Sequence, residues 1–129
     1  MKIQYKNQKF QEEAAKAVVD VFEGQPCLNT KYLVDTGYAL TNLEQTGWNN
    51  APVIPDLTDA KVLAKLNQIQ RANDLKPDDH LFGRYNLTIE METGVGKTYT
   101  YIKTMYELNK AYGWCKFIVV VPSVAIREG

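Results

Sequence analysis

The sequence predicts an α/β fold in which a parallel sheet, flanked by helices, carries a phosphate-binding P-loop. Three observations predict it. The run METGVGKT at 91–98 closes a short apolar segment and opens a helical one. The segment Phe117-Ile-Val-Val-Val121 is apolar without alternation, the pattern of a strand covered on both faces. Segments 10–22 and 61–73 carry apolar residues at helical spacing.

The first helix is predicted over 10–22. Phe10, Ala14, Ala15, Val18, Val19 and Phe22 share one face, and Gly24 and Pro26 end it. Residues 24–58 change character, with Gly, Pro, Asn and Thr among scattered aromatics. They read as an irregular insertion with at most a short strand or two. Tyr32-Leu-Val-Asp35 within it reads as packing. A second helix is predicted over 61–73, with Val62, Leu63, Leu66 and Ile69 inward and Thr58 or Asp59 as its cap. Pro77 bars its continuation. Residues 86–91 read as the strand that feeds the P-loop. Residues 98–112 read as the helix that leaves it, with Tyr101, Ile102, Met105, Leu108 and Tyr112 as its buried stripe and Gly113 as its end.

The P-loop chemistry needs these residue types. Gly94 and Gly96 let the backbone turn tightly and aim successive N–H groups into one concavity. The following helix adds its unpaired N–H groups and the positive end of its dipole. Lys97 supplies a full positive charge to the β- and γ-phosphates, and the Thr98 hydroxyl suits a phosphate-bound Mg²⁺. Thr93, Gly94, Val95, Gly96, Lys97 and Thr98 are therefore the expected cofactor-binding residues, for ATP with Mg²⁺, and Lys97 the expected catalytic one. Met91 stands where the general GxxxxGK[ST] pattern has its first glycine. Glu90 and Glu92, which bracket the loop entry, are assigned no chemistry.

Composition narrows the classes. A chain of 129 residues with 45% apolar content suits one modest core. Lys+Arg at 15 balances Asp+Glu at 15, so no global positive field gathers nucleic acid, although a local surface is not excluded. No apolar run approaches a membrane span, and the N-terminal stretch MKIQYKNQKF lacks the core of a signal peptide. No membrane partner and a cytoplasmic setting are expected. Cys27 and Cys115 lack metal or redox spacing, and Cys115 is expected in the core. His80 and Arg127 read as solvated.

Three blocks resemble a known family. FQEEAAKAVVDVF at 10–22 resembles the glutamine motif that precedes the P-loop in superfamily 2 helicases. NLTIEMETGVGKTYTYIKTMYELNKAYG at 86–113 closely resembles the motif I region of the Res subunit of type III restriction enzymes. KFIVVVPSVAIREG at 116–129 resembles motif Ia of the same subunit, and Met91 is usual in that family's METGxGKT. The resemblance implies that residues 1–129 are the N-terminal part of the first RecA-like domain of a helicase-type ATPase motor. It implies ATP-dependent translocation on double-stranded DNA coupled to cleavage, beside a modification (Mod) subunit that methylates adenine. It further implies that Gln11 reads the adenine edge and that Pro122 and Ser123 touch the DNA backbone.

No strand ending in Asp or Glu follows Lys97 to hold the Mg²⁺ water shell, so the chain is expected to be a fragment, inactive alone. Two other readings stand beside the restriction enzyme. One is a P-loop kinase or other phosphotransferase, against which the chain offers no acceptor-site Asp and no basic lid after the loop. The other is a non-catalytic, nucleotide-dependent binding module. Gln11 also has a plain reading as a first-turn helix residue, and Ser123 as a helix N-cap.

Overall fold

The computed structural model describes residues 8–27 and 50–121. It holds three helices, α1 over Lys9–Val21, α2 over Asp59–Ala72 and α3 over Lys97–Tyr112. Each falls within two residues of the helix predicted from apolar spacing. Thr58 caps α2, its hydroxyl accepting from the Lys61 N–H at 3.4 Å, and Asp59 adds a carboxylate to the positive end of the helix. Asn73 closes α2 by donating its side-chain amide to the Ile69 carbonyl at 2.8 Å. Gly113 ends α3 in the left-handed conformation, its N–H on the Asn109 carbonyl.

Helix α1 packs chiefly on α3 and less extensively on α2. The core collects Val21 and Phe22 from the end of α1, Leu57 and Val62 around α2, and Leu108 and Tyr112 from α3. Val62 is fully buried, which contributes about 1.5–3 kcal/mol by the transfer scale. Aromatic rings complete the centre. Phe22 meets Tyr85 and Trp114 edge-on, at 5.5 and 5.3 Å between centroids, and Trp114 leans on Tyr112 at 5.2 Å. Two long-range hydrogen bonds align α1 with α3. Gln11, in the first turn of α1, bonds Val95 just before α3, and the Tyr112 hydroxyl at the end of α3 donates to the Val19 carbonyl. The two helices therefore run in the same general direction.

The parallel sheet and the RecA-like core expected from the sequence are absent: among the described residues there is no strand. Segments 86–91 and 117–121 run as irregular chain, and no backbone ladder joins them to each other or to another described segment. The exposures explain the difference. A parallel strand needs at least one strand to pair with and cover on both faces. Here Ile118 is 92% and Val120 87% exposed. The apolar run states a demand for burial without specifying what meets it.

Amide side chains stand in for ladder bonds. Asn50 accepts from the Cys115 and Lys116 N–H groups, both at 2.9 Å, and donates to the Lys116 carbonyl at 2.7 Å. Buried Gln25 donates to the Pro52 carbonyl and accepts from the Ile54 N–H. Gln70 and Asp78 exchange two such bonds and fold the chain back after α2.

Three smaller corrections follow. Helix α3 buries Thr100, Leu108 and Tyr112, while Tyr101 and Ile102 face solvent. Phe10 is exposed and Val21 is buried in its place. Cys115, expected in the core, is exposed. Within the expected insertion, 50–58 is irregular. Tyr32-Leu-Val-Asp35 and Arg127 lie outside the described residues. No helix among the described residues is long and apolar enough to cross a membrane.

Tyr112 gives a pH-dependent test of the α1–α3 packing. Burial, reinforced by the Asp20 and Glu23 carboxylates, pushes its hydroxyl from 10.0 up to about 12. The neutral phenol is favoured in the folded chain, so its contribution is complete below pH 10 and is lost as pH rises towards 12. That loss is expected to be on the order of 1–2 kcal/mol, less than the full shift because solvent screens part of it. Urea unfolding of wild type and Tyr112→Phe across this range checks it. Tyr112→Phe is expected to be about 1 kcal/mol less stable at neutral pH and to lose less stability on the alkaline side.

Candidate functional site

The site forms where the turn at 93–96 enters α3. Gly96 is the N-cap residue of α3 and adopts φ +82°, a left-handed conformation that strains any residue with a Cβ. A Cβ at Gly96 would also lie 2.6 Å from the Gln11 amide nitrogen. The glycine is required by its backbone conformation, and a Cβ there would also displace the Gln11 amide from its place against the turn. Gly94 shares the left-handed conformation at φ +79°, but there a Cβ would meet nothing within 4 Å, so this side of the turn is open.

Helix α3 then presents Lys97 and Thr98 in its first turn, both exposed. The first-turn N–H groups of a helix lack intrahelical acceptors, which makes this end electropositive. Among the described residues Lys97 has no carboxylate partner; the ion pairs lie elsewhere, as at Lys9–Glu13 and Arg84–Asp59. The α3 threonines divide by role. Thr100 and Thr104 turn their hydroxyls back onto the carbonyls of Gly96 and Thr100, at 3.1 and 2.8 Å. Thr98 makes no such bond among the described residues, leaving its oxygen available to a ligand. No cluster of three or more His, Cys, Asp or Glu is placed to hold a metal ion among the described residues. A divalent cation at this turn would come with phosphate oxygens as its main ligands.

Gln11 is held at this turn from the other side. It is only 8% exposed, and its Nε2 donates to the Val95 carbonyl at 2.8 Å across 84 residues of sequence. A primary amide carries two N–H donors and one carbonyl acceptor. One donor is taken by Val95. The second donor and the carbonyl oxygen suit a base edge that offers an acceptor beside a donor, as adenine does. An open glycine turn, an unpaired lysine, a free hydroxyl and an amide at the flank together suit a polyphosphate carrying a base.

The comparisons with known proteins bear on this geometry. The family model for the res subunit of type III restriction enzymes matches residues 4–129. The chain belongs to the type III restriction enzyme Res-subunit family. It is similar to the Res subunit of the type III restriction-modification enzyme EcoPI of Escherichia phage P1, with 37% identity over 78 residues, 57% of this chain and 8% of that relative. It is also similar to the EcoP15I Res subunit of Escherichia coli, with 40% identity over 93 residues, 58% of this chain and 10% of that relative. The StyLTI Res subunit of Salmonella typhimurium is 57% identical over 44 residues, 34% of this chain and 4% of that relative. The chain therefore spans a tenth or less of the length of these relatives. No solved structure matches.

Within this Res-family chain, the structure brings Gln11 and residues 93–98 together at one turn. Pro122 and Ser123, expected at DNA, lie outside the described residues. Sequence reasoning missed two participants. Thr100 is buried in the first turn of α3 with its hydroxyl on the Gly96 carbonyl, and the Val95 carbonyl is the acceptor that ties the turn to α1. Thr100 was legible in principle, because it lies a helical turn from Gly96 and two turns from Leu108. The Val95 carbonyl has no signature in the residue type.

Gly96→Ala is expected to destabilise the chain by about 1–2 kcal/mol through its left-handed φ, with more added by the overlap with Gln11. Gly94→Ala has the first penalty without the second. Chemical unfolding of the two variants side by side checks the ordering.

Proposed function

We propose that residues 93–98 bind the phosphates of ATP with Mg²⁺, in a protein that works as the ATP-driven DNA-translocating subunit of a type III restriction enzyme. The observation that carries the nucleotide reading is the turn itself. Gly96, left-handed, delivers Lys97, unpaired among the described residues, and an exposed Thr98 at the electropositive start of a sixteen-residue helix. Membership of the Res family supports the wider role, since the relatives are named as Res subunits of type III restriction-modification enzymes.

The residues take separate parts. Backbone N–H groups of Thr93, Gly94, Val95 and Gly96 cradle the phosphates. Lys97 neutralises the β- and γ-phosphates, and its charge remains on the γ-phosphate as that bond lengthens, which makes it the catalytic residue of this stretch. The Thr98 hydroxyl ligates Mg²⁺ carried by the phosphates. Gln11 offers its second N–H and its carbonyl oxygen to adenine. Pro122 and Ser123 contact the DNA backbone. The protein acts on double-stranded DNA together with a modification methyltransferase subunit.

Isothermal titration tests the nucleotide site. Mg·ATP is expected to bind wild type, and Lys97→Ala is expected to weaken it at least tenfold through the lost charge on the phosphates. Equal affinity in the two proteins would remove the assignment. Residues 1–129 alone are expected to release no phosphate from ATP in response to duplex DNA, because no carboxylate in 98–129 follows Lys97 on a segment suited to hold the metal's water shell. DNA-stimulated release above a Lys97→Ala control would contradict this. For the base, Gln11→Glu is expected to lower the preference for ATP over GTP, and parallel titrations of the two nucleotides measure it.

A further inference from the structure

We infer that Gln11 is a positioning residue of the phosphate loop, acting through the Val95 carbonyl on any bound polyphosphate whatever base it carries. The inference rests on the reading of 93–98 as the phosphate site and adds a second task to an amide so far assigned to the base.

Peptide geometry supplies the argument. A trans peptide is planar, and its C=O and N–H point in opposite directions. The Val95 carbonyl and the Gly96 N–H belong to one such unit. Because Gln11 Nε2 holds the Val95 oxygen at 2.8 Å, the Gly96 N–H points away from the Gln11 amide. A glycine in a tight turn has an otherwise loosely held peptide plane, since it populates positive and negative φ about equally. Without the Gln11 bond this plane can rotate and withdraw a donor from the loop concavity.

Two observations support a fixed rather than a fortuitous contact. Gln11 is buried although it is polar and stands in the first turn of a helix, where amides are ordinarily solvated. Its amide nitrogen also occupies the space where any Cβ at position 96 would sit, 2.6 Å from that atom, so the amide rests on the Gly96 backbone as well as on the Val95 oxygen. The bonding pattern separates the two tasks. The N–H given to Val95 is not needed by the base, so base reading and loop positioning can be measured independently.

A base-free ligand distinguishes them. Inorganic tripolyphosphate with Mg²⁺ is titrated into the protein that carries this sequence, as wild type, Gln11→Met, Gln11→Glu and Lys97→Ala. Gln11→Met keeps the length of the side chain and removes its donor. Gln11→Glu keeps the shape and replaces the donor with an oxygen. Both are expected to lose about three- to tenfold in tripolyphosphate affinity, the worth of one hydrogen bond. Gln25→Met is the control for a purely structural effect, because Gln25 is equally buried but clamps Pro52 and Ile54 instead of the loop. It is expected to lower the melting temperature and leave affinity unchanged, with all titrations run well below each variant's melting temperature. Unchanged tripolyphosphate affinity in both Gln11 variants, beside a loss in Lys97→Ala, overturns the positioning role and leaves the phosphate site standing. A loss no larger than that of Gln25→Met also overturns it. Failure of wild type to bind tripolyphosphate overturns both readings together.

Discussion

The structure depends on how α1 lies against α3. One end of the contact is the Tyr112 hydroxyl on the Val19 carbonyl, and the other is the Gln11 amide on the Val95 carbonyl. Both bonds run from a side chain to a backbone oxygen across more than eighty residues of sequence. Between them Ala15 on α1 and Thr100 on α3 are both buried. The glycine turn is thereby fixed between two elements, the helix it opens and the helix it rests on. Helix α2 completes the core through Val62, which joins Phe22, Leu108 and Tyr112 in one cluster.

The three helices were legible because each carries enough apolar residues at helical spacing to define a face. The faces were read less well than the helices. In α3 the aromatic residues suggested a stripe through Tyr101 and Ile102, yet the helix turns Thr100 inward. Spacing along one helix contains no information about which neighbour covers which of its faces. The same gap accounts for the sheet. Val119, Val120 and Val121 specify extended, apolar chain, but pairing is a relation between segments, and no other described segment supplies it.

The candidate site divides along the same line. Residues 93–98 were legible, because a glycine turn followed by Lys-Thr and a helix is a local pattern with a local physical reason. The position of Gln11 beside them was legible only through family resemblance, and its bond to Val95 was not legible at all. The loop clamps are similar. Gln25 and Asn50 read as ordinary polar residues in irregular chain, and each in fact satisfies backbone groups that would otherwise need a neighbouring strand. An amide carries a donor and an acceptor at the spacing of a peptide bond, which is why Asn and Gln take this part.

The common direction of α1 and α3 has an electrostatic consequence. Helix dipoles that lie side by side and point the same way repel each other, and their positive ends meet at the turn before Lys97. Glu12 offsets part of this at the start of α1, while α3 has no acidic residue in its first turn. The turn therefore gathers the positive ends of two helices beside Lys97, with Glu90 and Glu92 at its entry. An anion placed at that turn would offset the repulsion between the helix ends as well as the charge of Lys97. Salt would screen that repulsion and the attraction of an anion to Lys97 alike.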